Sequence, residues 1–196
     1  MQCKGFVRAV LSGDCLTIQN IAKDDPWEER VYLAFITAPR CGSQEKSEDP
    51  FAFEAREFVR EAFIGKKVDF TLEYQVSGRK YVTIPFEGGA TVNLHLVKQG
   101  LAKALDKRSP GKAYEEIKAA SDDCEKRKVG LWNTDPKHIA NHLREVTYFG
   151  ESNYSAAKLL EQANQEPKPL AAILEHVFGT SYVSLYVYRL KSVIKM

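Results

Sequence analysis

The 196-residue sequence has few cysteines and no long apolar run. It contains no stretch of about 18 uninterrupted apolar residues, so no membrane-spanning helix is predicted. The four cysteines, Cys3, Cys15, Cys41 and Cys124, are scattered without a CxxC pair or a nearby histidine at metal-ligand spacing, so neither a disulfide framework nor a zinc site is predicted. The first residues lack the apolar region of a secretion signal, and we expect a cytoplasmic or nuclear location.

A large excess of charge of either sign is also missing. The sequence has 28 Lys and Arg residues against 26 Asp and Glu residues, giving a net charge of +2 and a pI near 8.3. Dedicated nucleic-acid-binding domains usually have a pI above about 9. Any nucleic-acid contact must therefore come from a local patch, and the alternative is an ordinary solvated surface of mixed charge.

The sequence does contain strand-like segments separated by turn residues. Residues 5–18 predict a strand, a turn and a second strand, and residues 29–36 predict a third strand rich in β-branched and aromatic residues. Residues 68–86 predict two more strands joined at Ser77 and Gly78. These segments supply five strands.

Helix-like segments lie between and after these strands. Asp49 and Pro50 predict the N-cap and the first residue of an amphipathic helix that ends at Gly65. Apolar residues from Val92 to Leu101 predict a short second helix that ends near Gly100. A third helix is predicted to begin after Ser109 and Pro110 and to end before residues 130–132. The order βββαββαα is typical of a compact α+β domain, for which a partly open five-stranded barrel is the simplest architecture.

The character of the sequence changes after Asn133. Residues 135–148 predict a helix, and His138 and His142 on it lack the intervening glutamate of a metal-binding helix, so we interpret both as helix-surface residues. Residues 170–188 repeat the strand, turn and strand pattern of the opening segment. We therefore predict a first domain over 1–134, a helical and polar linker over 135–169, and the truncated start of a second repeat over 170–196.

Three segments together resemble the staphylococcal nuclease-like domain. They are residues 9–14 (Ala-Val-Leu-Ser-Gly-Asp), 92–102 (Val-Asn-Leu-His-Leu-Val-Lys-Gln-Gly-Leu-Ala) and 125–132 (Glu-Lys-Arg-Lys-Val-Gly-Leu-Trp). They occur in the family's order and cover about the first two-thirds of the chain. Residues 50–58 and 64–68 more narrowly resemble the first nuclease-like repeat of Tudor staphylococcal nuclease proteins, which carry several such repeats before a Tudor domain.

The resemblance implies an OB-fold-type five-stranded barrel with three helices, an RNA-linked role, and ancestry in calcium-dependent phosphodiester hydrolysis. Such chemistry needs oxygen ligands for a hard cation, a carboxylate that activates water, and guanidinium groups that stabilise the charged phosphate. The resemblance implies that Asp14 is a cation ligand and that Arg79 contacts phosphate.

The third strand departs from the family's pattern. Tyr32, Thr37 and Arg40 stand where active members have an arginine, an aspartate and a glutamate. Losing two of three acidic groups weakens the binding of calcium, whose affinity follows the number of charged oxygen ligands. Arg30 lies two residues before Tyr32 on the same strand face and would replace the missing guanidinium, which makes Arg79 and Arg30 the candidate catalytic residues.

The function expected from this pattern is a nuclease-like repeat with a degenerate site that binds the RNA phosphate backbone, in RNA regulation or transcriptional coactivation. The candidate nucleic-acid-binding residues are Arg40, Arg79, Lys80, Arg30 and Tyr32. No cofactor is expected, and Asp14 is interpreted as a vestigial metal ligand. Ca²⁺ would bind only if the site is active, in which case the loop residues Glu45, Glu48 and Asp49 would supply the missing carboxylate ligands. The expected partners are RNA, the other repeats of the full-length protein, and proteins of RNA-processing or transcription complexes, with no membrane.

Two alternatives remain open. One is a working metal-dependent phosphodiesterase that uses Arg79 and Arg30, and the other is a protein-interaction scaffold in which Phe6 and the helix surfaces matter more than the basic residues. Tyr74 and Tyr81, together with Tyr32, would stack on bases in an RNA-binding barrel, although strand aromatics also serve in cross-strand packing.

Overall fold

A computed structural model describes residues 2–19, 27–42, 46–106, 111–143, 145–146, 172–178 and 182–189. Contacts within the chain define two units, the first formed by residues 1–41 and 49–142 and the second by residues 42–48 and 143–196. The first unit contains the barrel and four helices, and the second contains a three-stranded sheet.

The barrel consists of five strands in the order β1-β2-β3-β6-β5. Their bounds are Gln2–Ser12 for β1, Cys15–Gln19 for β2, Glu28–Leu33 for β3, Lys67–Val76 for β5 and Arg79–Thr83 for β6. The predicted five-stranded barrel is confirmed, but it is closed rather than partly open. Closure comes from the antiparallel pairing of β1 with β5 and the parallel pairing of β3 with β6.

The third predicted strand, residues 29–36, is interrupted in the structure. Strand β3 ends at Leu33, and a separate short strand, β4 (Ile36–Thr37), leaves the barrel to pair with β7 (Lys103–Ala104). The break falls at Phe35, whose φ of 68° is incompatible with a continuing strand. Its backbone N–H donates to the Tyr74 hydroxyl at 3.1 Å, which satisfies a donor that the strand ladder leaves unpaired.

The helices are α1 (Ala52–Phe63), α2 (Val92–Lys98), α3 (Lys112–Arg127) and α4 (Pro136–Asn141). The prediction that Asp49 caps α1 is wrong, because the N-cap is Phe51 in the left-handed conformation with a φ of 68°. The Asp49 carboxylate is engaged by Arg40 instead and does not cap the helix. None of the helices among the described residues is long and apolar enough to span a membrane.

Helix α4 is shorter than predicted, and its histidines are packed rather than solvated. The His142 ring stacks on Phe51 with 4.0 Å between centroids, and its Nδ1 lies 2.8 Å from Oε1 of Glu54 on α1. The His138 ring lies 4.7 Å from that of His142. The surface interpretation of both histidines is therefore corrected: they fasten α4 to the start of α1.

The core lies inside the barrel and beneath α1 to α3. Its largest fully buried side chains include Leu16, Ile18, Leu33, Ile84, Leu96 and Ile117. Buried Asn93 on α2 donates through Nδ2 to the carbonyl oxygens of Ala34 at 2.9 Å and Val82 at 3.0 Å. A polar residue inside this core is stable because these bonds satisfy it, and they tie α2 to the ends of β3 and β6.

Two glycines explain why the segments 92–102 and 125–132 occur together. Gly100 and Gly130 both have positive φ angles, 68° and 56°, and their backbones touch. A Cβ atom at Gly100 would lie 2.6 Å from the Val129 carbonyl oxygen, which leaves no room for a side chain. The Leu131 N–H donates to the Gly100 carbonyl at 3.0 Å and closes this contact.

The second unit contains β8 (Glu145–Val146), β9 (Ala172–Phe178) and β10 (Tyr182–Arg189) in the order β8-β10-β9. Strands β9 and β10 form the hairpin predicted over residues 170–188. Of the predicted linker over 135–169, residues 144 and 147–169 lie outside the described residues. The assignment of this hairpin to a second repeat, and the domain boundary at residue 134, stay predictions.

Candidate nucleic-acid interface

Asp14 lies in the turn between β1 and β2, and both of its carboxylate oxygens are bonded within the protein. Oδ1 accepts a hydrogen bond from the Ser12 hydroxyl at 2.6 Å, and Oδ2 accepts one from the Ala38 N–H at 3.0 Å. The Asp14 carbonyl also accepts from the Leu33 N–H at 2.8 Å. Asp14 therefore braces the first hairpin against the segments that follow β3 and β4, and its role as a cation ligand stays a prediction.

Tyr32 and Arg79 are brought together by the parallel pairing of β3 with β6. Tyr32 lies opposite Tyr81 in this pairing, and their ring centroids are 5.6 Å apart. The Arg79 guanidinium carbon lies 5.3 Å from the centroid of the Tyr32 ring, which is the geometry of a cation–π contact. Arg79 is exposed, so one face of its guanidinium rests on an aromatic ring while its N–H groups remain accessible to a phosphate.

Arg30 joins this group through the neighbouring strand. It lies opposite Thr17 in the pairing of β2 with β3, while Cys15 lies opposite Tyr32. Burial raises the pKa of the Cys15 thiol to about 11, although the nearby charges of Arg30 and Arg79 and a hydrogen bond with the Tyr32 side chain act in the opposite direction. Arg30 lies two residues before Tyr32 on β3 and therefore shares its strand face, and the Arg79 guanidinium rests on the Tyr32 ring, so both cations lie on the same face of the barrel.

Lys80 does not belong to this group. Successive residues of a strand point to opposite faces, so Lys80 points away from the face that carries Arg79 and Tyr81. Its Nζ lies 2.6 Å from Oε2 of Glu29, with both side chains about one-third exposed. A contact between Lys80 and nucleic acid stays a prediction, and its charge is already compensated.

Arg40 is held at a different place. Its backbone N–H donates to Asp49 Oδ2 at 3.0 Å, and its Nη2 donates to Asp49 Oδ1 at 3.2 Å. These two bonds close the chain on either side of residues 42–48 and use both oxygens of Asp49. Arg40 is thus an ion-paired loop residue, and its side-chain partner among the described residues is Asp49.

A line of aromatic rings, the aromatic strip, continues from Tyr32 across the barrel. Tyr81 and Tyr74 are stacked at 4.7 Å with 19° between their planes, Tyr74 lies 5.4 Å from Phe35, and Phe35 lies 5.9 Å from Tyr114. The sequence indicated the three tyrosines on strands but not Phe35, Tyr114 or Cys15. Extending the sheet from β2 to the next predicted strand, β3, would have placed Cys15 opposite Tyr32. The positive φ angle of Phe35, by contrast, leaves no pattern in the sequence.

The described residues contain no group of three or more histidine, cysteine, aspartate or glutamate side chains arranged to hold a metal ion. The positions that an active site would fill with carboxylates carry Thr37 and Arg40 in this chain. Asp14 directly precedes Cys15, which lies opposite Tyr32, and the oxygens of Asp14 already accept two hydrogen bonds.

The closed barrel agrees with the comparison of the sequence with protein families. Residues 30–134, more than half of the chain, match the model of the staphylococcal nuclease homologues, and the chain belongs to that family. This finding confirms the resemblance inferred from the three sequence segments.

The curated relatives are Tudor-type nuclease proteins. The chain is 31% identical over 201 residues to Ribonuclease TUDOR 2 of Arabidopsis thaliana, with 94% of this chain and 20% of the relative covered. It is 27% identical to Staphylococcal nuclease domain-containing protein 1 of Drosophila melanogaster, with 93% and 20% covered, and 29% identical to the protein of that name in Schizosaccharomyces pombe, with 89% and 20% covered. The chain thus spans about one-fifth of the length of these relatives, and it is a nuclease-like repeat of the kind that they contain.

Proposed function

We propose that this barrel binds single-stranded RNA on the surface formed by Arg30, Tyr32, Arg79 and Tyr81, the Arg79 surface, without cutting it. The observation that carries the proposal is the placement of two exposed guanidinium groups on one strand face, with Arg79 resting on the Tyr32 ring and Arg30 two residues before Tyr32 on β3. The oxygens of Asp14 are already bonded within the protein. Guanidinium groups are well suited to phosphate because their planar N–H donors match its oxygens.

The charge balance of this surface supports phosphate binding. Neither Arg30 nor Arg79 forms an ion pair with a carboxylate among the described residues, whereas Lys80 and Arg40 do. A phosphate arriving at the Arg79 surface therefore does not have to displace an existing partner. Lys80 and Arg40 would add less to binding, because their ion pairs must first be broken.

The aromatic strip supports a single strand rather than a duplex. Tyr32, Tyr74 and Tyr81 are half-buried, so part of each ring is accessible, and Tyr32 lies beside Arg79. Unpaired bases stack on such rings, and each stacked base contributes about 1 to 3 kcal/mol. The bases of a duplex are stacked on one another and cannot use these rings.

Hydrolysis is disfavoured by the same residues. Metal-dependent cleavage needs charged oxygen ligands and a carboxylate that activates water. Thr37 and Arg40 supply neither function at the positions where the family has carboxylates. In the whole protein, binding without cleavage would serve RNA regulation or transcriptional coactivation, in the cytoplasm or the nucleus.

The test is a fluorescence-anisotropy titration of the full chain with a labelled 12-nucleotide single-stranded RNA and with the matching duplex, at two salt concentrations. We expect tighter binding of the single strand and a loss of affinity as salt rises, because phosphate contacts release counterions. Arg79→Gln should weaken binding about tenfold and lower the salt slope by about one, whereas Lys126→Gln on exposed α3 removes the same charge and should change little. Absence of binding at low salt would refute the proposal.

The alternative function, a metal-dependent ribonuclease, is favoured by one observation, the pair of guanidinium groups at Arg30 and Arg79. Incubating the labelled RNA with the chain in calcium and in chelator distinguishes the two functions. Equal recovery of intact RNA is the expected result. Calcium-dependent cleavage that is lost in Arg79→Gln would establish the enzyme instead.

A further inference from the structure

A cavity of about 350 Å³ opens in the first unit, and its lining contains no residue of the Arg79 surface. Apolar side chains from four segments form most of its wall, among them Pro39, Phe51, Leu131 and Ile139. Lys103 and Asp49 are its charged lining residues. Binding sites for small ligands and for short peptide segments have volumes of this order and walls that are mostly apolar with a few polar groups.

The cavity carries one uncompensated positive charge. The Lys103 ammonium lies 4.2 Å from the centre of the Trp132 ring, and no carboxylate within the described ranges pairs with it. Asp49 contributes no free negative charge, because Arg40 bonds to both of its oxygens. A ring beneath an ammonium group leaves its charge in place, so the cavity selects an occupant with a negative group.

The rest of the wall favours a peptide over a nucleotide. Phe51, the aromatic residue among those that line the cavity, is only 4% exposed and is covered on one side by the His142 ring, so it offers no platform for a base. Proline, leucine and isoleucine side chains instead suit an aliphatic side chain.

We propose that this cavity is a docking pocket for a partner-protein segment in which an aliphatic residue lies next to an aspartate or glutamate. The aliphatic side chain packs against Leu131 and Ile139, and the acidic side chain pairs with Lys103. This interaction is independent of the RNA binding proposed above, since the cavity shares no lining residue with the Arg79 surface.

The experiment is an NMR titration of the full ¹⁵N-labelled chain with the blocked pentapeptide acetyl-Ala-Leu-Asp-Ile-Ala-amide. We expect saturable shifts confined to the amides of residues 37–39, 103 and 131–134, with a Kd of about 1 mM or lower, as suits a short peptide without a second anchor. The same peptide with lysine in place of aspartate should bind at least about threefold more weakly, because it lacks the ion pair with Lys103.

Three variants make the result specific. Lys103→Gln should weaken binding of the aspartate peptide by about threefold, while Lys98→Gln, an equally exposed lysine on α2, should leave it unchanged. Thr37→Trp, which fills the cavity from the exposed end of β4, should abolish the shifts. The unperturbed spectrum of each variant without peptide verifies its fold, and Lys103→Gln suffices if the tryptophan variant does not fold.

The proposal is overturned by any of three results. The first is the absence of localised shifts up to about 10 mM peptide, which corresponds to under about 3 kcal/mol of binding energy. The second is equal binding of the aspartate and lysine peptides. The third is displacement of the peptide by a 12-nucleotide RNA that shifts the same amides. The last result would identify the cavity as part of an RNA surface. Peptide binding that persists in Arg79→Gln, a variant expected to lose RNA affinity, would separate this inference from the proposed RNA binding.

Discussion

The Arg79 surface and the cavity lined by Lys103 each keep a positive charge, because in both places an acidic residue pairs with a different cation. The surroundings of the two unpaired cations differ. At the barrel surface, Glu29 pairs with Lys80 and leaves Arg79 resting on a tyrosine. At the cavity, Asp49 pairs with Arg40 and leaves Lys103 resting on a tryptophan. The first cation has a second guanidinium on its strand face and half-buried rings nearby, while the second has an aliphatic wall. We therefore expect the two cations to bind different kinds of occupant.

The two aspartates should differ most in their effect on stability. Asp14→Ala removes two hydrogen bonds to a half-buried carboxylate and leaves the Ala38 N–H unpaired, so the free energy of unfolding should fall by about 2 to 3 kcal/mol. Asp49→Ala removes an exposed pair and should cost less than about 1 kcal/mol. Urea unfolding measures both. Unchanged stability in Asp14→Ala would show that the carboxylate is kept for another purpose, such as a cation.

Because of the Cys15 thiol, the free energy of unfolding should fall as the pH becomes alkaline. Its folded pKa of about 11 is raised from an ordinary value near 9.0, so the unfolded chain loses this proton at lower pH than the folded one. The stability due to the neutral buried thiol is complete below pH 9 and is lost as the pH rises towards 11, by about 2 kcal/mol at pH 10.5.

Urea unfolding at pH 8 and pH 10.5 checks this, with Cys15→Ala as the control because it removes the titrating group. The pH-dependent fall should be smaller in the control than in the unchanged chain. Equal falls in both would mean that Cys15 ionises as readily in the folded barrel as in the unfolded chain.

The two neighbouring cations of β6 should contribute unequally to RNA affinity. Arg79→Gln should weaken the binding of a single-stranded RNA about tenfold, whereas Lys80→Gln should weaken it less than about threefold, because Lys80 is already paired with Glu29. Anisotropy titrations at one salt concentration compare the two variants directly. Equal losses would show that RNA displaces Glu29 and that both strand faces take part.

Releasing Lys80 from its partner should give the smallest effect. Glu29→Gln removes a negative charge and leaves Lys80 available at the edge of the barrel, so RNA affinity should rise by about threefold or less. The rise should disappear in the double variant with Lys80→Gln. A rise that persists in the double variant would come from the general change in net charge and not from Lys80.

Much of the barrel was predictable from the sequence, because alternating apolar residues and turn glycines determine strands β1, β2, β5 and β6 locally. The start of α1 was not predictable, since the Asp49 signal for an N-cap is the same whether its carboxylate caps a helix or binds Arg40, nine positions earlier in the chain. The break at Phe35 was also hidden, because a large aromatic residue with positive φ is held there by Tyr74 and by the pairing of β4 with β7.

The candidate site was predictable in part for a related reason. Period-2 geometry placed Arg30 and Tyr32 on one face of β3, and the resemblance to the family placed Arg79 near them. The partners of Lys80 and Arg40 could not be inferred, since each ion pair depends on how distant segments approach one another. Counting cations in the sequence therefore does not show which of them are already ion-paired.

The parallel pairing of β3 with β6 determines when the Arg79 surface forms during folding. Glu29 and Lys80 are separated by 51 positions in the chain, and Tyr32 and Tyr81 lie opposite each other in the same pairing. Contacts between such distant residues form late and slowly, because a long loop must close first. The guanidinium of Arg79 therefore reaches the ring of Tyr32 only when the barrel closes, so RNA affinity should develop in refolding experiments together with the last, slowest gain of structure.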